Sequence, residues 1–504
     1  MDDTEQTLLA ALAERVGIAA EYHDISGVRH VTADHTKRDI RRAMGFQVSS
    51  TAALAVAIRE WDEAPWRRPC DPVRIVHEEE VGAPISCCFA LEDGRERSVV
   101  VKWRLNDESG NLLHEGQAGP GLVASEVKFI DGARRVRVEL PAPKGLPLGY
   151  YDFIIQAEGL VGGSTGTLRL IVAPRQCYVP TSLEVGHRYW GLALQLYSLA
   201  SDRNWGCGDF TDLNQFVEWA GKHLGASIIG LNPLHAIRNT APHHTSPYAP
   251  YNRLAINELY IDLERLPEFY ASEDAQAQYR SPEFQAKLKA LRETRRVDYD
   301  AIAHAKRTML DLAYRQFLKE AYSGTEPNLE PKTARAKLLE RFIQSEGEPL
   351  ELYATFQTLE EERRMIQSKT VTWHEWPKQF LSPGSAVREY GKRHRKRIRF
   401  FQYIQWIASE QLNEVRRTAE AAGMPIGIYN DLALGAEGTG AEAWMYQSVM
   451  ALSADCGAPP DAFAPEGQNW GLPPINPVAL RPSRYELLIQ LLRRNMRFGG
   501  AIRL

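Results

Sequence analysis

The sequence predicts an α/β chain: a small helical region, then an antiparallel β-sandwich, then about the first half of a (β/α)8-type barrel. Three observations carry this. Residues 1 to about 68 set leucine and alanine at helical spacing. From about 70 to 175 the period falls to two, with Gly, Pro and Asp/Asn turns between short runs. After about 180, largely apolar strands alternate with amphipathic helices, the signature of parallel β/α units. A chain of 504 residues exceeds one compact domain, and the predicted divisions are 1–68, 69–176 and 177–504.

In the helical region, the run from Thr4 forms a first helix. Thr36 is a candidate cap and Gly45 a candidate stop for a second, and Ser49-Ser50-Thr51 opens a third. In the sandwich, residues 73–76, 98–103, 126–129, 135–138 and 151–155 read as strands. In the last region, Trp190-Gly191-Leu192-Ala193-Leu194-Gln195-Leu196 is a first strand, and a helix opened by Asp209 follows. Ser227-Ile228-Ile229-Gly230-Leu231-Asn232 is a second strand. A charged helical insertion occupies about 265–395, broken near Tyr322-Ser323-Gly324-Thr325-Glu326-Pro327. A helix from Phe400 ends at Gly423, Pro425-Ile426-Gly427-Ile428-Tyr429 is a third strand, a helix opens at Pro482-Ser483-Arg484-Tyr485-Glu486, and Ala501-Ile502-Arg503-Leu504 is a fourth strand. An eight-stranded TIM barrel needs four more, so the expectation is of an incomplete barrel with an unpaired edge.

Composition excludes several function classes. The chain is 44% hydrophobic and 25% charged with net charge −4, which gives no electrostatic case for nucleic acid or an anionic membrane. The local exception is Lys392-Arg393-His394-Arg395-Lys396-Arg397-Ile398-Arg399, read as a solvated helix start rather than a phosphate-facing patch. Among six cysteines only Cys87 and Cys88 are neighbours, and no ligand-like spacing with His occurs; free thiols and a reducing compartment are expected. The acidic start, Met1-Asp2-Asp3-Thr4-Glu5, lacks the features of a secretory signal, and no apolar run reaches the ~18 residues of a membrane span. A cytoplasmic, soluble protein is the expectation.

In β/α barrels, functional groups sit at the C-terminal strand ends and in the loops that follow. Here those loops are rich in Trp, Tyr, Asn and Asp, with Gly or Pro fixing the backbone. Such a mixture suits sugars, because aromatic rings cover the apolar face of a pyranose and Asp, Asn, Gln and His pair with its hydroxyls. The motifs, in chain order, are Gln195-Leu196-Tyr197-Ser198-Leu199, Arg203-Asn204-Trp205-Gly206-Cys207-Gly208-Asp209, Ser246-Pro247-Tyr248, Ala458-Pro459-Pro460-Asp461 and Gly467-Gln468-Asn469-Trp470-Gly471.

These five motifs, in this order, resemble those of the 4-α-glucanotransferases called amylomaltases, in their longer bacterial form with added N-terminal domains. The resemblance runs from about residue 180 to the end, and the N-terminal layout matches as well. It implies a retaining transfer of α-1,4-glucan segments between maltodextrins, with no cofactor or metal. It also implies an Asp nucleophile directly after the Arg-Ile-type dipeptide of strand four, a Glu acid/base after strand five and a third carboxylate after strand seven. Ile502-Arg503-Leu504 matches the lead-in, so all three carboxylates are expected beyond residue 504, with Arg503 orienting the first.

The resemblance also assigns binding roles. Tyr248, its backbone fixed by Ser246-Pro247, matches a tyrosine at the cleavage site, and Asp431 matches an aspartate that holds sugar hydroxyls. Trp470 and Asn469 lie in a glycine-flanked, exposed loop; Asp461 and Phe463 lie in an acceptor-side loop, although Ala462 stands where some relatives have an aromatic residue. His235 is open between sugar contact and a structural part, and Asp209 reads as a helix cap rather than a catalytic acid. The rival expectations are a non-catalytic remnant that binds maltodextrin weakly, and an amylase-type hydrolase, which the transferase-like segment from Gly467 to Gly471 disfavours.

Overall fold

A computed structural model describes residues 3–92, 99–119, 122–158, 160, 164–240, 245–324, 329–367 and 371–504. Met1, Asp2, the Ser98 that heads a predicted strand and the Thr325-Glu326-Pro327 part of the predicted helical break lie outside the described residues. The chain forms two compact units. The first comprises Met1–His187, Ala458–Gln468 and Ile475–Glu486; the second comprises Arg188–Gly457, Asn469–Pro474 and Leu487–Leu504.

In the first unit, α1 (Asp3–Arg15), α2 (Asp34–Ala43) and α3 (Thr51–Arg67) bury Leu9, Leu12, Val48 and Leu54 among them. Ser50 caps α3, its Oγ accepting from Ala53 N at 3.2 Å. α2 begins at Asp34, two residues before the expected Thr36, and its N-cap Ala33 offers no side-chain acceptor. A two-stranded hairpin, Glu21–His23 with Arg29–Val31, went unforeseen because these three-residue strands are largely exposed and carry no apolar pattern.

Among the described residues eight strands make the sandwich: β1 (Val73–His77), β2 (Ile85–Ala90), β3 (Val100–Asp107), β4 (Leu112–Ala118), β5 (Ala124–Ile130), β6 (Ala133–Leu140), β7 (Gly149–Glu158) and β8 (Ser164–Ala173). One sheet runs β1-β8-β7-β3-β4 and the other β2-β6-β5. Alternate residues from both, among them Val101, Leu105, Phe153, Ile155, Val136 and Val138, interdigitate in the core. The sandwich is not wholly antiparallel as expected: β1 pairs with β8 in parallel, Ile75 opposite Ile171. The two strands bracket the sandwich sequence, so no tight turn constrains their direction. Trp103 stacks on Phe153 (centroids 5.3 Å apart) and crosses Gly116 on β4, where an added Cβ would lie 2.5 Å from the indole. Gly116→Ala is therefore expected to destabilise the sandwich by about 1–3 kcal/mol, read from the urea midpoint.

The second unit is built on a parallel sheet of β9 (Gly191–Leu194), β10 (Ile228–Leu231), β12 (Gly427–Asp431) and β13 (Ala501–Arg503) in that order, with β11 (Asn252–Ile256) in a separate pair. All four strands expected here are present. Ile229, Leu231 and Ile428 turn toward α4 (Phe210–Leu224) and α7 (Arg395–Ala421), so one sheet face is sealed by helices. Tyr429 and Asp431 alternate onto the other face.

The insertion is not merely a charged appendage. Its helices α5 (Tyr299–Ala321) and α6 (Ala334–Gln367) supply core: Phe317 and Tyr314 of α5 pack on Tyr403 of α7 at 5.1 and 5.2 Å. α6 breaks at Gly347 (φ 60°, ψ −147°). The basic run is internally paired: Arg397 meets Glu361 at 2.5 Å and Asp311 at 2.7 Å, and Arg399 meets Glu340. After a short helix α8 (Ala441–Met445), α9 (Glu486–Met496) starts later than expected, because Arg484 and Tyr485 adopt left-handed φ of 60° and 59°. Among the described residues no helix is long and apolar enough to cross a membrane.

Candidate functional site

Asp431 ends β12 and Arg503 ends β13, and the two are register partners in the parallel ladder. Their side chains therefore leave the sheet on one face, and the ladder closes with Leu432 N donating to Arg503 O at 2.9 Å. Arg503 Nε donates to Asp431 Oδ1 at 2.9 Å and Nη2 to Oδ2, a two-pronged pair. Nη2 also reaches Tyr248 Oη at 3.4 Å. Hydrogen bonding to Asp431 pushes the Arg503 guanidinium above its ordinary value. Asp431 is 7% exposed, while the Arg503 side chain is 52% exposed and Tyr248 46%. The site is thus an anchored carboxylate topped by an accessible guanidinium and phenol. Ser246 shapes it: its Oγ accepts from Tyr248 N at 3.3 Å and its carbonyl from Ala249 N at 3.3 Å.

His235 does not face the opening. It is 4% exposed, and its Nε2 accepts from Ala433 N at 3.1 Å, two residues past Asp431. Of the two parts the sequence left open, burial selects the structural one. Burial, with Arg253 nearby, pushes its imidazole down to about 3. A neutral ring is what an N–H acceptor requires. Since the unfolded chain takes up this proton near the usual histidine value and the fold resists it, stability is expected to fall as pH drops from about 6.5 toward 3, by up to about 1.4 kcal/mol per pH unit. Unfolding titrations of His235→Gln should show that slope flattened.

Trp470 and Asn469 are held on a separate loop. Trp470, 41% exposed, donates its backbone N–H to Cys456 O at 3.0 Å, and Asn469 Nδ2 donates to Asp455 at 3.1 Å. Gly471 (φ 64°) receives Asn469 Oδ1 on its N–H at 2.8 Å, tightening the turn. Asp461 and Phe463 belong to the first unit, where Asp461 Oδ1 accepts from Phe463 N at 2.8 Å and leaves the Phe463 ring 98% exposed.

The loop after β9 is built into the core. Its Trp205 is 3% exposed, stacked on Tyr279 and donating to Glu264 at 2.9 Å, so it offers no platform to a ligand. Asp209 caps α4 through Thr211 N (2.9 Å) and Asp212 N (3.1 Å), in keeping with the cap expected from sequence. Arg203 binds three buried carboxylates: Asp209, Asp212 at 3.2 Å and Asp262 at 2.7 Å. Burial pushes the Asp209 carboxyl up. Sequence reasoning also missed Arg253 and Glu442, a buried pair that reaches the carbonyls of Ala433 and Leu434 and carries no local signal. Among the described residues no group of three or more His, Cys, Asp or Glu is placed to hold a metal ion.

Residues 194–504 match the family described as 4-alpha-glucanotransferase, and residues 69–174 match the MalQ N-terminal beta sandwich domain. The chain belongs to the 4-alpha-glucanotransferase family. It is similar to the 4-alpha-glucanotransferase of Haemophilus influenzae, with 35% identity over 81% of this chain and 54% of that protein. It is similar to that of Mycobacterium bovis, with 30% identity over 98% of this chain and 65% of that protein. The amylomaltase of Corynebacterium glutamicum superposes with a TM-score of 0.79 at 27% identity, over 99% of this chain and 64% of that one. The chain thus spans between about half and two thirds of the length of these glucanotransferases. The similarity lends no support to a non-catalytic remnant.

Proposed function

We propose that the chain serves 4-α-glucanotransfer: a segment of an α-1,4-linked glucan passes from a donor maltodextrin to an acceptor, with anomeric configuration retained. The observation that carries this is the convergence of Asp431 and Arg503, at adjoining strand ends, with Tyr248 from a neighbouring turn. Asp431 accepts from vicinal sugar hydroxyls, Arg503 holds the carboxylate in place, and the half-exposed Tyr248 lies against the ring. Ser246 sets Tyr248; Asn469 and Trp470 extend the contact along the glucan, and Asp461 and Phe463 serve the acceptor. The sheet is proposed as the first half of a (β/α)8 barrel, and the chain as three domains at 1–68, 69–176 and 177–504.

Retaining transfer uses two carboxyl groups about 5–5.5 Å apart, one attacking the anomeric carbon and the other protonating the leaving oxygen. By the resemblance these groups follow residue 504, the nucleophile directly so, and Arg503 is the group that would orient it. Acceptor sugar must then outcompete water for the glycosyl-enzyme. The reaction calls for no cofactor, and a cytoplasmic setting fits the maltodextrin substrates.

Glucose release from maltotriose, with longer maltodextrins appearing in step, tests the proposal on this chain and on the chain extended by the codons that follow residue 504. Glucose without longer products would mean hydrolysis and defeat it; so would the absence of an Asp at the first added codon.

A further inference from the structure

The geometry points to Arg253 and Glu442 as positioning residues for the sugar-holding carboxylate of Asp431, an inference that rests on the function proposed above. Arg253 is 4% exposed and Glu442 0%. The Arg253 Nε donates to both Glu442 oxygens, at 3.0 and 3.2 Å, and Nη2 donates to Oε1. The backbone N–H of Arg253 adds a bond to Oε2 at 2.8 Å. Glu442 therefore fixes both the side chain and the main chain of Arg253.

The free end of the fork then does the positioning. Nη1 donates to the carbonyl of Ala433 at 3.2 Å and to that of Leu434 at 2.8 Å. The amide of Ala433 is taken by His235 Nε2 at 3.1 Å, and that of Leu432 by Arg503 O at 2.9 Å. Four main-chain polar groups in the three residues after Asp431 are thus tied to groups on three other segments. A buried ion pair is a poor source of stability, since desolvation offsets its attraction. What this pair provides is geometry. With the peptide from Leu432 to Leu434 immobilised, Asp431 has one backbone setting from which to meet both Arg503 and a sugar. An error of about 1 Å in such a group costs on the order of 100-fold in function.

The test is the double variant Arg253→Met/Glu442→Leu, which removes both charges at similar volume and keeps the core packed. Two quantities are read beside the melting curve: hydrogen exchange of the peptide covering residues 431–435, and affinity for maltoheptaose by calorimetry. A positioning role predicts a cooperative melt, exchange faster by about tenfold or more, and affinity weaker by about tenfold or more. A folded double variant with unchanged exchange, or with unchanged affinity, overturns it. Should the double variant not fold, Glu442→Gln keeps the shape and one acceptor and is read the same way, with smaller shifts in the same direction. Should the unaltered chain not bind maltoheptaose, the proposed function falls, and the exchange result alone decides for or against the clamp.

Discussion

Arg203→Leu is expected to destabilise the second unit by about 3–5 kcal/mol, the cost of breaking a buried ion pair from one side. Asp209, Asp212 and Asp262 have side chains 3%, 5% and 4% exposed, and all three converge on this one guanidinium. Asp212 keeps Asn204 Nδ2 at 2.9 Å and Asp262 keeps Thr211 Oγ1 at 2.5 Å, but neither neighbour carries charge. Without Arg203 the carboxylates repel one another in a poorly solvated space, and the first turn of α4, which Asp209 and Asp212 cap reciprocally, is the place to yield. Arg203→Lys should fall between, restoring the charge but not the fork. A shift in unfolding free energy below about 1 kcal/mol for the leucine variant, from urea titration, would be incompatible with this account.

Arg503→Met is expected to weaken maltoheptaose binding by about 10–100-fold, the range of one hydrogen bond to a charged group. The loss has two sources. The guanidinium no longer presents itself to the ligand beside Tyr248, and Asp431 loses the two-pronged partner that aims it. Stability should change far less than for Arg203, because the Arg503 side chain is half exposed and the pair is open to water on that side. Calorimetric titration of the folded variant measures the effect; equal affinity would separate this pair from sugar recognition.

Much of the second unit was legible from sequence because buried parallel strands leave an apolar run bounded by Gly, Pro or a cap. Residues 227–232 and 425–429 show it plainly. The sandwich was half legible. β3 and β7 alternate, but β4 is exposed along most of its length, so no periodicity marks it. The parallel partnership of β1 and β8 is a long-range pairing that no local pattern specifies. At the site, Asp431 and Arg503 were each singled out through the family resemblance, while their pairing with one another follows from the register of β12 and β13 and had no sequence signal. The Arg253–Glu442 clamp could not be foreseen, since its members stand 189 residues apart and each looks locally like an ordinary surface charge. The depth of Trp205 had no local signal either: the glycines beside it let the chain pass close to Leu291, which an added Cβ at Gly206 would crowd at 2.8 Å.

The pairing of Asp431 with Arg503 has a consequence for how this protein tolerates sequence change. Side chains of a strand flip sides with each step, so sliding β13 by a single position would bury the guanidinium among the helices and offer Ile502 in its stead. The short connection holding that phase leaves no slack: a methyl at Gly499 would strike Ile428 O at 2.4 Å, and one at Gly500 would strike Ile426 O at 2.1 Å. Spelling in this stretch matters less than its count, and a lost or gained codon between Met496 and Ala501 would silence recognition while every participating residue was still encoded.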